Sequence, residues 1–137
     1  METKVIVSAI IEDGDGLLFG RKVQDRGPYP NTWHLLGGKI NPGEESLLEA
    51  IKREVKEEAG VEIEILEELP FDEDFEPNKH GEMTHYIFLV YRARLVVGEA
   101  KASDDISEVR WFAKDSLPKD ELSRPSIKLF KKLGYIG

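Results

Sequence analysis

The stretch from Gly37 to Val61, GGKINPGEESLLEAIKREVKEEAGV, limits what this chain can become more than any other part of it. Asn41-Pro42-Gly43 is a turn, Glu44 to Ala59 is a run of helix formers, and Gly60 stands where helices commonly end. With Val55 at zero and about 100° per residue, Leu48, Ile51 and Leu47 fall at about +20°, about −40° and about −80°. Glu58, Glu54 and Glu57 fall at about −60°, about −100° and about −160°, and Lys52 and Lys56 lie on the other flank at about +60° and about +100°. The acids therefore overlap the edge that must be buried. An ordinary amphipathic helix keeps its charges opposite the apolar stripe, where water solvates them.

Carboxylates three and four residues apart repel one another, and near the C-terminal end of a helix they also oppose its dipole. A hard divalent cation offsets both effects. Oxygen ligands at that spacing converge on Mg²⁺ or Mn²⁺, which keeps several waters and bridges to phosphates. A solvated face with pairs such as Glu49–Arg53 explains the same spacing without a metal. Spacing by itself leaves both open.

The chain has 137 residues, no cysteine and a formal net charge of −8. That length suits one domain over residues 1–137 with a core of its own. Disulfides and thiolate sites are excluded, so a metal must be held by oxygen or histidine ligands. The negative charge argues against nucleic acid as a partner and implies that a phosphate-bearing ligand comes with a divalent cation. No stretch approaches the roughly 20 apolar residues of a membrane span; even HYIFLVYRARLVV is broken by Arg92 and Arg94. METKVIVSAIIEDGDG does not resemble a targeting peptide, so a cytoplasmic protein is expected. Homodimer formation is left open.

Lys4 to Glu12 and Leu17 to Val23 flank Asp13-Gly14-Asp15-Gly16 as a hairpin, and 24–32 (QDRGPYPNT) is a loop. Val61 to Leu69, Met83 to Val97 and Glu108 to Ala113 read as strands. Pro70 to Glu82 reads as an exposed acidic loop, and Ser126 to Leu133 as a last helix stopped by Gly134. Strands around one central helix, followed by one terminal helix, give an α+β pattern with a mixed sheet covered on both faces.

Taken together, Gly38, Glu45, Arg53, Glu54, Val55, Glu57, Glu58, Gly60 and Val61 resemble the signature of the Nudix hydrolases: a glycine, a spacer, a glutamate, seven residues, then R-E-apolar-x-E-E-x-G-apolar. The flanks agree, with Trp33 just before Gly37-Gly38 and Trp111-Phe112 followed by Leu117-Pro118. A looser likeness, in Asp25-Arg26-Gly27 and Pro30 to Trp33, is to the branch acting on pyrimidine deoxynucleoside triphosphates. One departure concerns the spacer. Five residues usually separate the glycine from the first glutamate, whereas Gly38 and Glu45 enclose six, or else Glu44 and Arg53 enclose eight in place of seven. The extra residue lies either in the Asn41-Pro42-Gly43 turn, giving Glu45 the motif position, or in a bulged first helical turn, giving it to Glu44. Turns tolerate insertion better, which favours Glu45.

The resemblance implies an α/β/α sandwich and metal-dependent hydrolysis of a nucleoside diphosphate linked to another moiety. Its first choice of substrate is a (deoxy)nucleoside triphosphate, cleaved to monophosphate and pyrophosphate. It implies Mg²⁺, with Mn²⁺ as substitute, held by Glu54, Glu57, Glu58 and the Gly38 carbonyl. Arg53 would orient a glutamate through charge-assisted hydrogen bonds, and Arg21 and Lys39 would meet substrate phosphates. Solvated or ion-paired surface charge is the plain alternative for these three. The family often supplies one further acid, here Asp105 or Glu108. Trp111 and Phe112 are expected in the core, Trp33 is open, and His34, His80 and His85 lack metal-binding spacing. The rivals are a nucleotide-sugar or dinucleotide pyrophosphatase and a nucleotide-sensing module that kept the fold without the chemistry. Retention of all three motif glutamates speaks against the second.

Overall fold

A computed structural model describes residues 1–22 and 29–137; Asp25-Arg26-Gly27 lies outside the described residues. The elements are β1 (Glu2–Asp13), β2 (Gly16–Lys22), β3 (Leu36–Lys39), α1 (Leu47–Ala59), β4 (Glu62–Glu68), β5 (Asp72–Pro77), β6 (Met83–Val97), β7 (Ile106–Ala113) and α2 (Arg124–Leu133). The strands form one sheet in the order β4-β6-β1-β2-β7, with β3 added to β1 and β5 added to β6. β1 and β6 run parallel, and the remaining pairs are antiparallel.

β1 is central and covered on both faces, which is why its run Val5-Ile6-Val7-Ser8-Ala9-Ile10-Ile11 is nearly continuous in apolar residues and does not alternate with polar ones. Val7, Ala9 and Ile11 pack with Ile51, Val55 and Ala59 of α1. Ile10 packs on the opposite face with Phe19, Leu129 and Phe130, under α2. This is the α/β/α sandwich with a mixed sheet. Trp33 is 2% exposed in the α2-side core, edge-on to Phe112 with ring centroids 5.3 Å apart. Trp111 and Phe112 are half-buried against the two core clusters. Among the described residues no helix is long and apolar enough to cross a membrane.

Three expectations are corrected. Within Pro70 to Glu82, residues Asp72–Pro77 are a strand, not an exposed loop. β6 extends beyond β4, and its first half would otherwise have a free edge, which DEDFEP pairs from Phe88 to Met83. The acids tolerate a strand because cations on α2 meet them: Arg124 reaches Asp74 at 2.7 Å and Lys128 reaches Asp72 at 3.2 Å. Next, α1 begins at Leu47, not at Glu44. Ser46 accepts a hydrogen bond from the Glu49 backbone N–H at 3.1 Å, and the Glu49 carboxylate accepts one from the Ser46 N–H at 2.8 Å, a reciprocal cap. Finally, Leu47 and Leu48 are not in the buried stripe. The first turn of α1 leaves them 37% and 45% exposed, and the stripe is Ala50, Ile51, Val55, Glu58 and Ala59. It is rotated toward the acids.

Candidate active site

Two glycines bring β3 close enough to α1 for this rotation to matter. A Cβ on Gly37 would overlap the Val7 carbonyl oxygen, and one on Gly38 would sit 2.5 Å from Glu54 Oε2. Glu58, only 4% exposed, therefore reaches the backbone of β3, and its Oε1 accepts a hydrogen bond from the Gly37 N–H at 2.9 Å. Burial pushes the Glu58 carboxyl up to about 8, with Asp105 and Glu54 adding to the rise; the Gly37 N–H and Lys22 act against it. Glu54 is also raised, chiefly by burial, despite its bond to Arg53.

Arg53 ties this acidic flank together. Its Nε and Nη2 donate to Glu45 at 2.9 and 2.7 Å, a two-pronged pair. Nη1 donates to Glu54 at 3.0 Å and to Glu57 at 3.2 Å, and Nη2 donates to the Lys39 carbonyl oxygen at 3.2 Å. These bonds hold the guanidinium pKa above its ordinary value, Glu45 contributing most. Glu45, held low mainly by Arg53, also accepts from the Asn41 N–H at 3.0 Å, while Glu44 is exposed. Both residues precede the Ser46 cap, so the extra spacer residue sits in the turn and leaves the helix regular from Leu47 onward.

The remaining sequence candidates separate. Arg21 is not at the cleft: its guanidinium lies over the Trp33 ring at 4.5 Å and pairs with Glu121 at 3.1 Å. Lys22 is the cation that lines the cleft and faces Glu58, and sequence reasoning passed over it. Lys39 is exposed on β3 opposite Ile6, its ammonium pKa lowered chiefly by Lys4. Asp105 is near both Glu54 and Glu58, whereas Glu108 is paired with Arg110 at 3.0 Å.

The cleft runs along the α2 face of the sheet. At one end it is walled by Gly37, Gly38, Glu58 and Lys22. At the other it is walled by Asp72, Tyr86, Phe88 and Ser126. The only sequence signal for that second end is the alternation of β6, which puts Tyr86, Phe88 and Val90 on one face.

A NUDIX domain matches residues 2–133. The chain belongs to the NUDIX family. It is 27% identical over 142 aligned positions to the nucleoside triphosphatase NudI of Enterobacter sp. (strain 638), covering 99% of this chain and 100% of that one. The NudI protein of Escherichia coli O1:K1 is 26% identical with the same coverage. Among solved structures, a MutT NUDIX hydrolase from Burkholderia pseudomallei superposes with a TM-score of 0.81 at 26% identity, over 97% of this chain and 99% of that one.

NUDIX hydrolases need divalent metal ions. Among the described residues no three acidic or histidine side chains are gathered tightly enough to ligate one ion as they stand, because Arg53 draws Glu54 and Glu57 to itself. The donor set nonetheless suits a hard cation. Its donors are all oxygens; Glu58 is buried and Glu54 half-buried, burial raises the pKa of both, and the Glu54 charge adds to the rise at Glu58, as in a site short of positive charge.

Proposed function

We propose that this cleft hydrolyses a nucleoside triphosphate to its monophosphate and pyrophosphate, with Mg²⁺ as the working ion and Mn²⁺ as its substitute. The carrying observation is Glu58, a buried carboxylate fixed on the Gly37 N–H where the cleft meets the Arg53-braced acids of α1. Full-length relatives named as nucleoside triphosphatases support the substrate class.

Glu54, Glu57, Glu58 and the Gly38 carbonyl would hold the cation. When bound it neutralises phosphate oxygens and lowers the pKa of the attacking water. The chain's own groups do the rest. Arg53 orients Glu54 and Glu57 and is itself aligned by Glu45. The Gly37 N–H fixes Glu58, and one carboxylate of the set accepts the proton from the water. Lys22 and Lys39 face the phosphates. The reading is completed by a small-molecule nucleotide partner, one domain over residues 1–137 and action in the cytoplasm.

A panel of nucleoside triphosphates, nucleotide sugars and dinucleotides assayed for released phosphate species tests it. Pyrophosphate from triphosphates, abolished by excess EDTA, is the expected result. Orthophosphate release, or turnover of the nucleotide sugars or dinucleotides only, overturns it.

A further inference from the structure

We propose that Asp72 reads the nucleobase at the end of the cleft away from the glutamates, accepting a hydrogen bond from an amino group on the base edge. The inference rests on the nucleotide reading above. Strand register places the relevant side chains in one row. Ile6 of β1 stands opposite Lys39 of β3 and Phe88 of β6, and Phe88 stands opposite Asp72 of β5. Paired residues point to the same face, so Lys39, Ile6, Phe88 and Asp72 form one row across the sheet, of which Ile6, Phe88 and Asp72 line the cleft. At about 4.8 Å between strands the ends of the row are roughly 14 Å apart. The glutamate end is at β3, because Gly37, which holds Glu58, stands opposite Ser8 one row further along. A nucleotide with its phosphates there lays its base toward β5.

That end has a floor and an unanswered acceptor. Phe88 stacks on Tyr86 with centroids 6.1 Å apart and planes at 20°, and the Tyr29 ring is 6.5 Å away. Asp72 Oδ1 accepts from the Glu73 N–H at 2.8 Å and faces Lys128 at 3.2 Å. Oδ2 is buried with no hydrogen bond, and the Lys132 ammonium is 3.7 Å from it. A buried carboxylate oxygen without a donor is costly. The hydroxyls of Ser123 and Ser126, which line the same cleft, bond each other at 2.9 Å, and neither donates to Oδ2. The missing donor is supplied by the ligand. An exocyclic amino group, as on cytosine or adenine, projects clear of its ring neighbours. The ring N–H of uracil or thymine is flanked by two carbonyl oxygens, which a carboxylate repels.

The test is calorimetric titration in EDTA with CMP, AMP and the 5′-monophosphates of 2-pyrimidinone riboside and purine riboside, which lack only the amino group. The amino-bearing member of each pair should bind at least about tenfold tighter to the unaltered protein, the discrimination expected of a site built around a hydrogen bond. Asp72→Ala should close the gap to less than about threefold, and Asp72→Asn, which keeps an acceptor oxygen, should retain it. Equal affinities within the pairs, no binding of any of the four, or a gap that survives in Asp72→Ala overturns the inference. The arm with unaltered protein does not depend on any variant folding. Hydrolysis of CTP and ATP with Mg²⁺ scores the hydrolase reading separately. A gap without turnover sinks that reading alone, and turnover without a gap sinks the role of Asp72 alone.

Discussion

At its β3 end the cleft is made, apart from Lys22 of β2, by residues 37–58, one unbroken stretch in which a tight turn, a capped helix and two glycines bring the acids into place. At its β5 end the walls come from Tyr29, Asp72, Phe88 and Ser126, which meet only because β6 aligns β1 with β5 and α2 folds over them. The first end is dense in charge and held by hydrogen bonds to one guanidinium. The second is aromatic, and its charges are anchored on α2. The acids of the first end are encoded in one local stretch, whereas the aromatic end is assembled from strands far apart in sequence.

The sharpest way to separate the ends is Glu57→Gln. It should lower kcat by at least about a hundredfold at saturating Mg²⁺, while leaving nucleotide affinity at the distal end unchanged. Steady-state kinetics beside calorimetry would show this, and activity within threefold of the parent would remove Glu57 from the metal site.

Arg53 is aligned by Glu45 and not by Glu44. Glu45→Ala should therefore cost about tenfold to a hundredfold in activity, as loss of a ligand-orienting partner usually does, and Glu44→Ala about twofold or less. The reverse ranking would put the extra spacer residue inside the helix.

At the other end, Phe88→Ala should raise KM about tenfold with kcat within about threefold, because a stacking floor binds ground state and transition state alike. A fall in kcat with unchanged KM would contradict the assignment of this end to binding.

The smallest expected effect is thermal. In EDTA, Glu58 holds its proton up to about 8 in the folded chain, against an ordinary carboxyl value of 4.5. The folded state thus binds more protons than the unfolded state between those values. The stability due to protonated Glu58 is fully present below the ordinary value and is lost as pH rises through the folded one. Tm should fall by a few degrees more between pH 5 and pH 8 for the unaltered protein than for Glu58→Gln. Melts at the two pH values decide it, and parallel slopes would show that Glu58 does not titrate there.

The same contrast explains what could be read without coordinates. The motif from Gly38 to Val61 announces its helix, its acids and its arginine, because spacing along one element is a geometric statement. The Ser46–Glu49 cap was also there to be read, since serine followed three residues later by glutamate is a start signal, and it places the helix after both candidate glutamates. β5 was not legible. DEDFEP has the composition of a loop, and only the unpaired half of β6 and the cations of α2 make it a strand. Arg21 and Lys22 are adjacent cations on β2, and which of them reaches the cleft depends on Trp33, held against β2 by the His34–Gly20 bridge. Leu47 and Leu48 carry the right periodicity and still face solvent, because periodicity does not say where the sheet beneath a helix ends.

The parallel pairing of β1 with β6 sets an order of events during synthesis. Residues as far apart as Thr3 and His85, 82 positions, must meet before the floor exists, and contacts of such separation form slowly. The helix over Arg124–Leu133 follows all seven strands, and it brings the cations that hold β5. A nascent chain that has emerged only through β7 therefore already displays every acid of α1 but has no roofed compartment for a base.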